Sequence, residues 1–194
     1  MIKTKISSLG SKVNNRATIG KIKVLRYPEM KKIWAPWRAA YILKGDKEKG
    51  CILCDKPAEK KDRVNYILYR GKANFIILNA YPYTPGHLMV APYRHIGSVL
   101  DLNVAEGREQ VELIKLCVRL LTAEIKPVGF NIGMNLGRVA GAGVEGHIHT
   151  HVVPRWNGDH NFMTVLADTR VLSEGLDTMY AKLKAGLKDT TIKG

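Results

Sequence analysis

The sequence predicts an α+β fold: an antiparallel sheet of about five strands with one long helix and a C-terminal helix. Three observations lead there. Short runs rich in Ile, Leu, Phe and Tyr follow one another with little but Gly- and Pro-containing turns between them, the pattern of strands that pair with sequence neighbours. One stretch, 101–125, is long and carries apolar residues at three- and four-residue spacing, and a second such stretch lies near the end of the chain. At 194 residues and 45% hydrophobic, the chain can bury one good core, and a second full domain is not expected.

Taken in order, "NYILYRG" (65–71) and "ANFIILNA" (73–80) are strands joined by a tight turn at Gly71-Lys72. Two prolines and a glycine make "YPYTPG" (81–86) a loop, and "HLMVAP" (87–92) is the third strand. The helix over 101–125 puts Leu113, Ile114, Cys117, Leu120, Leu121 and Ile125 on one face. Asp101 or Asn103 can cap it, and Pro127 and Gly129 end it. "GFNIGMNLG" (129–137) alternates, with Phe130, Ile132, Met134 and Leu136 facing one way and Asn131, Gly133 and Asn135 the other. "HIHTHVV" (147–153) is the fifth strand. A last helix over 173–188 aligns Leu176, Met179, Tyr180, Leu183 and Leu187, with Ser173 as its cap. Helices on one face of the sheet would leave the polar Asn/His face open, so function is expected there.

The formal net charge of +14 suggests a polyanion partner until it is located. Residues 1–32 hold nine Lys/Arg against Glu29, a net +8, which leaves +6 for residues 33–194. The expected organisation is a basic, disordered extension over 1–32 ahead of a single domain over 33–194. That extension has the composition of a nucleic-acid arm or of an organelle transit peptide, but it lacks interleaved aromatics. An extension without a role is the simplest reading, and no nucleic-acid partner is expected. No apolar run of eighteen or more residues occurs, so no membrane span is expected either. Three cysteines and no secretory signal argue for a reducing compartment, the cytoplasm.

Half of the six histidines stand at alternate positions: His147, His149 and His151. Strand periodicity turns them to one face, opposite Ile148, Thr150 and Val152. Such a row can bind a transition metal, or one imidazole can act as nucleophile while the others orient it and handle charge. Just before it, "NLGRVAGAGVEG" (135–146) carries Gly137, Gly141, Gly143 and Gly146, and backbone N–H groups of such a loop can cradle phosphate oxygens. Separately, Cys51 and Cys54 form a C-x-x-C pair, open to metal ligation, redox chemistry or no ligation at all. Cys117 falls on the apolar face of the long helix and reads as core.

"HIHTHVV" resembles the signature of the histidine triad nucleotide hydrolases and transferases, and "ILNAYPYTPGHLMVAPYRHIGSVLDL" (77–102) resembles that family's preceding strand-loop-strand. "IWAPWR" (33–38) and "VVPRWNGDHNF" (152–162) are most similar to the bacterial diadenosine tetraphosphate phosphorylase-like branch. The resemblance covers 33–165. It implies that His149 attacks the α-phosphorus of a dinucleoside polyphosphate and forms an AMP-histidine intermediate, which phosphate or water discharges. His149 would be oriented by a bond from its Nδ1–H to the His147 carbonyl. His151 and His87 would flank the phosphate as further catalytic groups, Asn79 would meet the ribose hydroxyls, and Asn135, Gly141 and Gly143 would lie near the phosphates. Zn²⁺ is implied on Cys51, Cys54, His95 and His147 as a structural site, Mg²⁺ is possible with the substrate, and a homodimer is the implied assembly.

One departure stands out. Several family members carry a Ser or Thr just before the first histidine, whereas residues 140–146 here read "AGAGVEG", so the leaving group has no assigned proton donor. Trp34, Trp37 and Trp156 read either as packing or as base-stacking groups, and His160 and Asn161 as solvated loop or distal-phosphate residues. Two other functions compete: hydrolysis of nucleoside phosphoramidates or adenylylated conjugates, and a zinc-stabilised nucleic-acid binder using the basic tail.

Overall fold

A computed structural model describes residues 50–159 and 174–190. The basic extension, Trp34, Trp37, His160, Asn161 and Ser173 fall outside the described residues. Within them the order is α1 (Ile52–Ala58), β1 (Ile67–Arg70), β2 (Asn74–Leu78), β3 (Leu88–Pro92), α2 (Val104–Ile125), β4 (Gly129–Met134), β5 (Thr150–Arg155) and α3 (Leu176–Gly186). The strands form one sheet in the order β1-β2-β3-β5-β4, every pair antiparallel. The α+β expectation holds, with five strands and both named helices.

Each boundary has a local cause. α2 starts at a capping box: the Asn103 side chain accepts from Glu106 N–H while the Glu106 carboxylate accepts from Asn103 N–H. It stops at Lys126, whose left-handed backbone (φ 48°) precedes Pro127. The β1–β2 turn closes with Gly71 N–H on the Asn74 carbonyl at 2.8 Å. Glu109 of α2 then accepts from the backbone N–H of Lys72, Ala73 and Asn74 at 2.6–2.7 Å. Gly71 is required here, because a Cβ would lie 2.6 Å from Glu109 Oε1 and 2.8 Å from the Asn74 carbonyl.

The sheet has two different faces. α2 and α3 cover one, closing a core of Leu68, Ile76, Leu78, Leu88, Val90 and Val152 against Leu113, Leu116, Leu120, Leu121 and Leu183. On the other, α1 seats Leu53 (1% exposed) over Ile67, Phe75, Ile77, Met89 and Ala91. Full burial of one such leucine contributes about 1.5–3 kcal/mol. That second layer differs from the expectation of helices on a single face. α1 has only seven residues with Pro57 among them, so it shows no helical periodicity, and its packing stabilises it rather than its own propensity. It covers only the β1–β3 side and leaves the β5–β4 side of that face to the polar residues.

Two details of the sheet depart from the pattern. Among the described residues β4 is an edge strand, and Ile132 and Leu136 of its apolar row are 47% and 44% exposed, while Phe130 still packs on the core. β5 begins at Thr150, not at 147. Ahead of it, the His147 carbonyl is taken by a side chain and Ile148 N–H donates to the Ile96 carbonyl at 2.7 Å. The ladder starts where those backbone groups become available.

Candidate active site

The site grows from β5 and the β2–β3 loop. His149 is 6% exposed and its Nδ1 lies 2.9 Å from the His147 carbonyl. A carbonyl only accepts, so Nδ1 carries the hydrogen and Nε2 keeps its lone pair. Burial pushes the His149 pKa below the usual histidine range, partly offset by that bond to His147. A buried, neutral imidazole with a directed Nε2 lone pair is a competent nucleophile at neutral pH.

The tautomers of the next two rings follow by the same logic. Tyr83 N–H donates to His87 Nδ1 at 3.1 Å, so that atom is an acceptor and His87 Nε2 holds the proton. His87 Nε2 lies 2.9 Å from His151 Nδ1, which must therefore accept, leaving the His151 hydrogen on Nε2. A backbone amide thus sets, through His87, which nitrogen of His151 is a donor. The His149 and His151 rings lie 4.8 Å apart, edge to face, and Tyr83 packs on His87 at 4.7 Å. His87 itself is fully buried, and Gly86 before it has φ 77° with no room for a Cβ beside Ile125.

Asn79 joins the same network. Tyr81 N–H donates to its Oδ1 at 2.9 Å, which turns Nδ2 toward His87 Nδ1 at 3.3 Å. Asn135 Nδ2 donates to the Gly141 carbonyl at 3.2 Å and so ties the glycine loop to the end of β4. A cavity of about 490 Å³ opens against His151, walled by Tyr83, Thr84, Asn131, Met134 and Asn135 with Ala140 from the loop. Gly141 adopts φ 91° beside that loop's short 3-10 turn, and Gly143 is exposed; neither forms the cavity wall. The sequence missed Tyr83 and Thr84, whose roles run through a backbone N–H and through a hydroxyl bonded to the Pro154 carbonyl at 2.8 Å. It also missed the Arg155–Asp159 ion pair at the far end of the cavity, where Arg155 further donates to Asn131 Oδ1 at 2.7 Å. Their four-residue spacing was the available signal. Trp156 donates from its indole to the Lys126 carbonyl at 3.2 Å, a packing role at the end of α2.

His147 turns away from this cavity. Its Nδ1 lies 3.3 Å from both Cys51 Sγ and Cys54 Sγ, and Cys54 Sγ is 3.4 Å from His95 Nδ1. The ligand atoms of Cys51, Cys54, His95 and His147 all fall within 4.8 Å of one another, a cluster able to hold a metal ion. Around a tetrahedral zinc, sulfur and nitrogen ligands stand about 3.5 Å apart, so these residues fit that ion. The neighbour ligands also need orienting groups, and His147 Nε2 has one in the Pro92 carbonyl at 2.8 Å. Burial, and then Cys51 beside it, pushes the Cys54 thiol up to about 11. Burial likewise lowers His147, against the pull of Pro92.

A buried, neutral histidine packed against His151 at the edge of a polar cavity, with an N/S cluster able to hold a metal behind it, points to histidine-based group-transfer chemistry. The family model of the HIT domain matches residues 60–158, and the chain belongs to that family. It is 35% identical to the AP-4-A phosphorylase of Mycobacterium tuberculosis over 75% of this chain and 78% of that one. It is 29% identical to a bis(5'-adenosyl)-triphosphatase of Saccharomyces cerevisiae, over 46% of this chain and 44% of that protein. Among solved structures it is similar to a Zn-bound histidine triad family protein from Mycobacterium smegmatis. That match has a TM-score of 0.59 and 26% identity, over 72% of this chain and 94% of the other.

Proposed function

We propose that this protein cleaves dinucleoside polyphosphates such as diadenosine tetraphosphate, with His149 as the nucleophile. The observation that carries the reading is the bond from His149 Nδ1–H to the His147 carbonyl, which fixes the tautomer and leaves the Nε2 lone pair available. His149 Nε2 attacks the α-phosphorus, a P–N bond forms, and the P–O bond to the remaining nucleoside polyphosphate breaks. Phosphate or water then attacks the adenylylated His149, giving ADP or AMP and restoring the imidazole. Two displacements replace one difficult step because imidazole is both nucleophile and leaving group. In this reading His151 Nε2–H donates to a non-bridging oxygen, where negative charge builds in the transition state. Similarity to an AP-4-A phosphorylase across three quarters of the chain favours phosphate as acceptor.

Cys51, Cys54, His95 and His147 are read as a zinc site on their ligand chemistry and spacing. Zinc there organises the fold around the site and takes no part in bond making. Mg²⁺ is assigned to the substrate's phosphates, as is usual for polyphosphates. A second copy of this chain is the assigned protein partner, on the support of β4, which among the described residues is an edge strand, with Ile132 and Leu136 exposed. Nucleic acid is not assigned a role. No helix among the described residues is long and apolar enough to cross a membrane, and thiols serving as ligands suit a reducing cytoplasm.

The test is incubation with diadenosine tetraphosphate, with and without phosphate, followed by nucleotide chromatography, with His149→Ala alongside. ADP and ATP are expected with phosphate. Turnover of adenosine phosphoramidate but not of the tetraphosphate would move the assignment to conjugate hydrolysis. Turnover of the tetraphosphate by His149→Ala would remove His149 from the mechanism.

A further inference from the structure

His147 belongs to both centres at once. Its Nδ1 faces the two thiols at 3.3 Å, its Nε2 lies 2.8 Å from the Pro92 carbonyl, and its own carbonyl accepts His149 Nδ1–H at 2.9 Å. The Pro92 carbonyl only accepts, so the ring hydrogen sits on Nε2 and Nδ1 directs its lone pair into the cysteine cluster. That is the tautomer a metal ligand needs. The next residue is held in the same way, Ile148 N–H donating to the Ile96 carbonyl at 2.7 Å, one residue beyond His95. The segment 147–149 is therefore suspended between α1, the end of β3 and the turn carrying His95, before the sheet ladder begins at Thr150.

We propose that His147 is a positioning residue that couples occupation of the metal site to the placement of the His149 nucleophile. The proposal rests on the readings of His149 as nucleophile and of the cluster as a metal site. With Nδ1 ligated, the His147 ring cannot turn, and its carbonyl is held where it keeps His149 Nδ1–H bonded and Nε2 directed. With Nδ1 unligated, its hydrogen-bonding neighbours are two thiols, which are weak partners, and the segment gains freedom. The core under α2 and α3 contains none of Cys51, Cys54, His95 or His147, so the effect should concentrate at the nucleophile. One residue, His147, carries both the cluster-facing Nδ1 and the carbonyl that holds His149, so a group seated against His149 should also alter the surroundings of the metal.

The experiment compares metal-loaded protein, chelator-stripped protein and His95→Ala, with metal per chain measured in each. His95→Ala leaves every bond of His147 in place and removes one ligand, so it covers the case in which stripping unfolds the chain. Three readouts are taken: kcat against KM on diadenosine tetraphosphate, backbone hydrogen exchange, and the visible bands of a cobalt(II)-substituted form with and without saturating AMP. Expected on stripping are a fall in kcat of about 10- to 100-fold, by analogy with the loss of other ligand-orienting groups, and a KM changed by less than about twofold. Exchange should rise at 147–151 and stay constant in α2, and AMP should shift the cobalt bands. His95→Ala should lie between the two forms and recover at high zinc. Metal-free protein with unchanged kcat and unchanged exchange at 147–151 would overturn the proposal. So would an equal rise of exchange in α2, which marks a general structural role, or cobalt bands indifferent to AMP. Protein that binds no metal at all would sink the metal reading itself, and activity in His149→Ala the nucleophile reading, so these failures can be told apart.

Discussion

Replacing His87 by Phe tests whether a fully buried ring sets the chemistry of the ring it is bonded to. His87 is fully buried, takes Tyr83 N–H on Nδ1 and gives Nε2–H to His151 Nδ1. Phenylalanine keeps most of the volume and removes these bonds together with that to Asn79. His151 is then free to carry its hydrogen on Nδ1, and the Nε2–H donor for the phosphate is lost. A hydrogen bond to a charged group contributes about 1.5–3 kcal/mol, so kcat/KM should fall about 10- to 150-fold. Folding is affected separately, because half-buried Tyr83 N–H and Asn79 Nδ2 lose an acceptor, at about 1 kcal/mol by denaturant titration. The decisive assay is a double-mutant cycle on kcat/KM with diadenosine tetraphosphate. Since His87 acts through His151, His87→Phe with His151→Ala should be little worse than His151→Ala alone. Losses that multiply would show that His87 meets the substrate directly and that the relay reasoning is wrong.

Three further outcomes are expected. Leu53→Ala should cost about 2–5 kcal/mol in urea denaturation, since Leu53 anchors α1 to the sheet at 1% exposure, and metal affinity should fall with it; an unchanged midpoint would mean α1 is not held this way. Glu106, held down to about 2 chiefly by its bonds to Arg94, contributes stability that is fully present above its ordinary 4.5 and is lost on acidification between those two values. Glu106→Gln should therefore be less stable than wild type at neutral pH and lose that part of the pH dependence, as denaturation at stepped pH can show; a difference that stays constant down to pH 2 contradicts the assignment. Gly71→Ala should destabilise by about 1–3 kcal/mol, because its Cβ would collide with Glu109 and the Asn74 carbonyl, and an equally stable variant would refute the tight closure of that turn.

Much of this site was readable because its residues act through side chains at regular spacing. The alternation of His147, His149 and His151, the C-x-x-C pair, and the three/four rhythm of α2 each leave a mark in the sequence. What escaped acts through the backbone or through packing alone. Any residue but proline at position 83 offers an N–H, so nothing in its identity reveals that it sets the tautomer of His87. α1 leaves no periodic trace in seven residues, yet it carries Cys54 and covers the β1–β3 side of the sheet's second face. The start of β5 was placed early because alternation cannot report that the His147 carbonyl is occupied by the His149 ring. The exposed row on β4 was read correctly as a face but not as an edge, since a sequence states what alternates and not what lies above it.

The central claim is that one imidazole, His149, carries the nucleotide between the two steps. The most direct test is to mix protein with diadenosine tetraphosphate in the absence of phosphate, quench in alkali to preserve a phosphorus–nitrogen bond, digest, and map the adduct by mass spectrometry. An adenylyl group on His149, lost on adding phosphate with release of ADP and missing in His149→Ala, is the expected result. An adenylyl group on His147 or His151, or full turnover with no adduct in any quenched sample, would contradict the account.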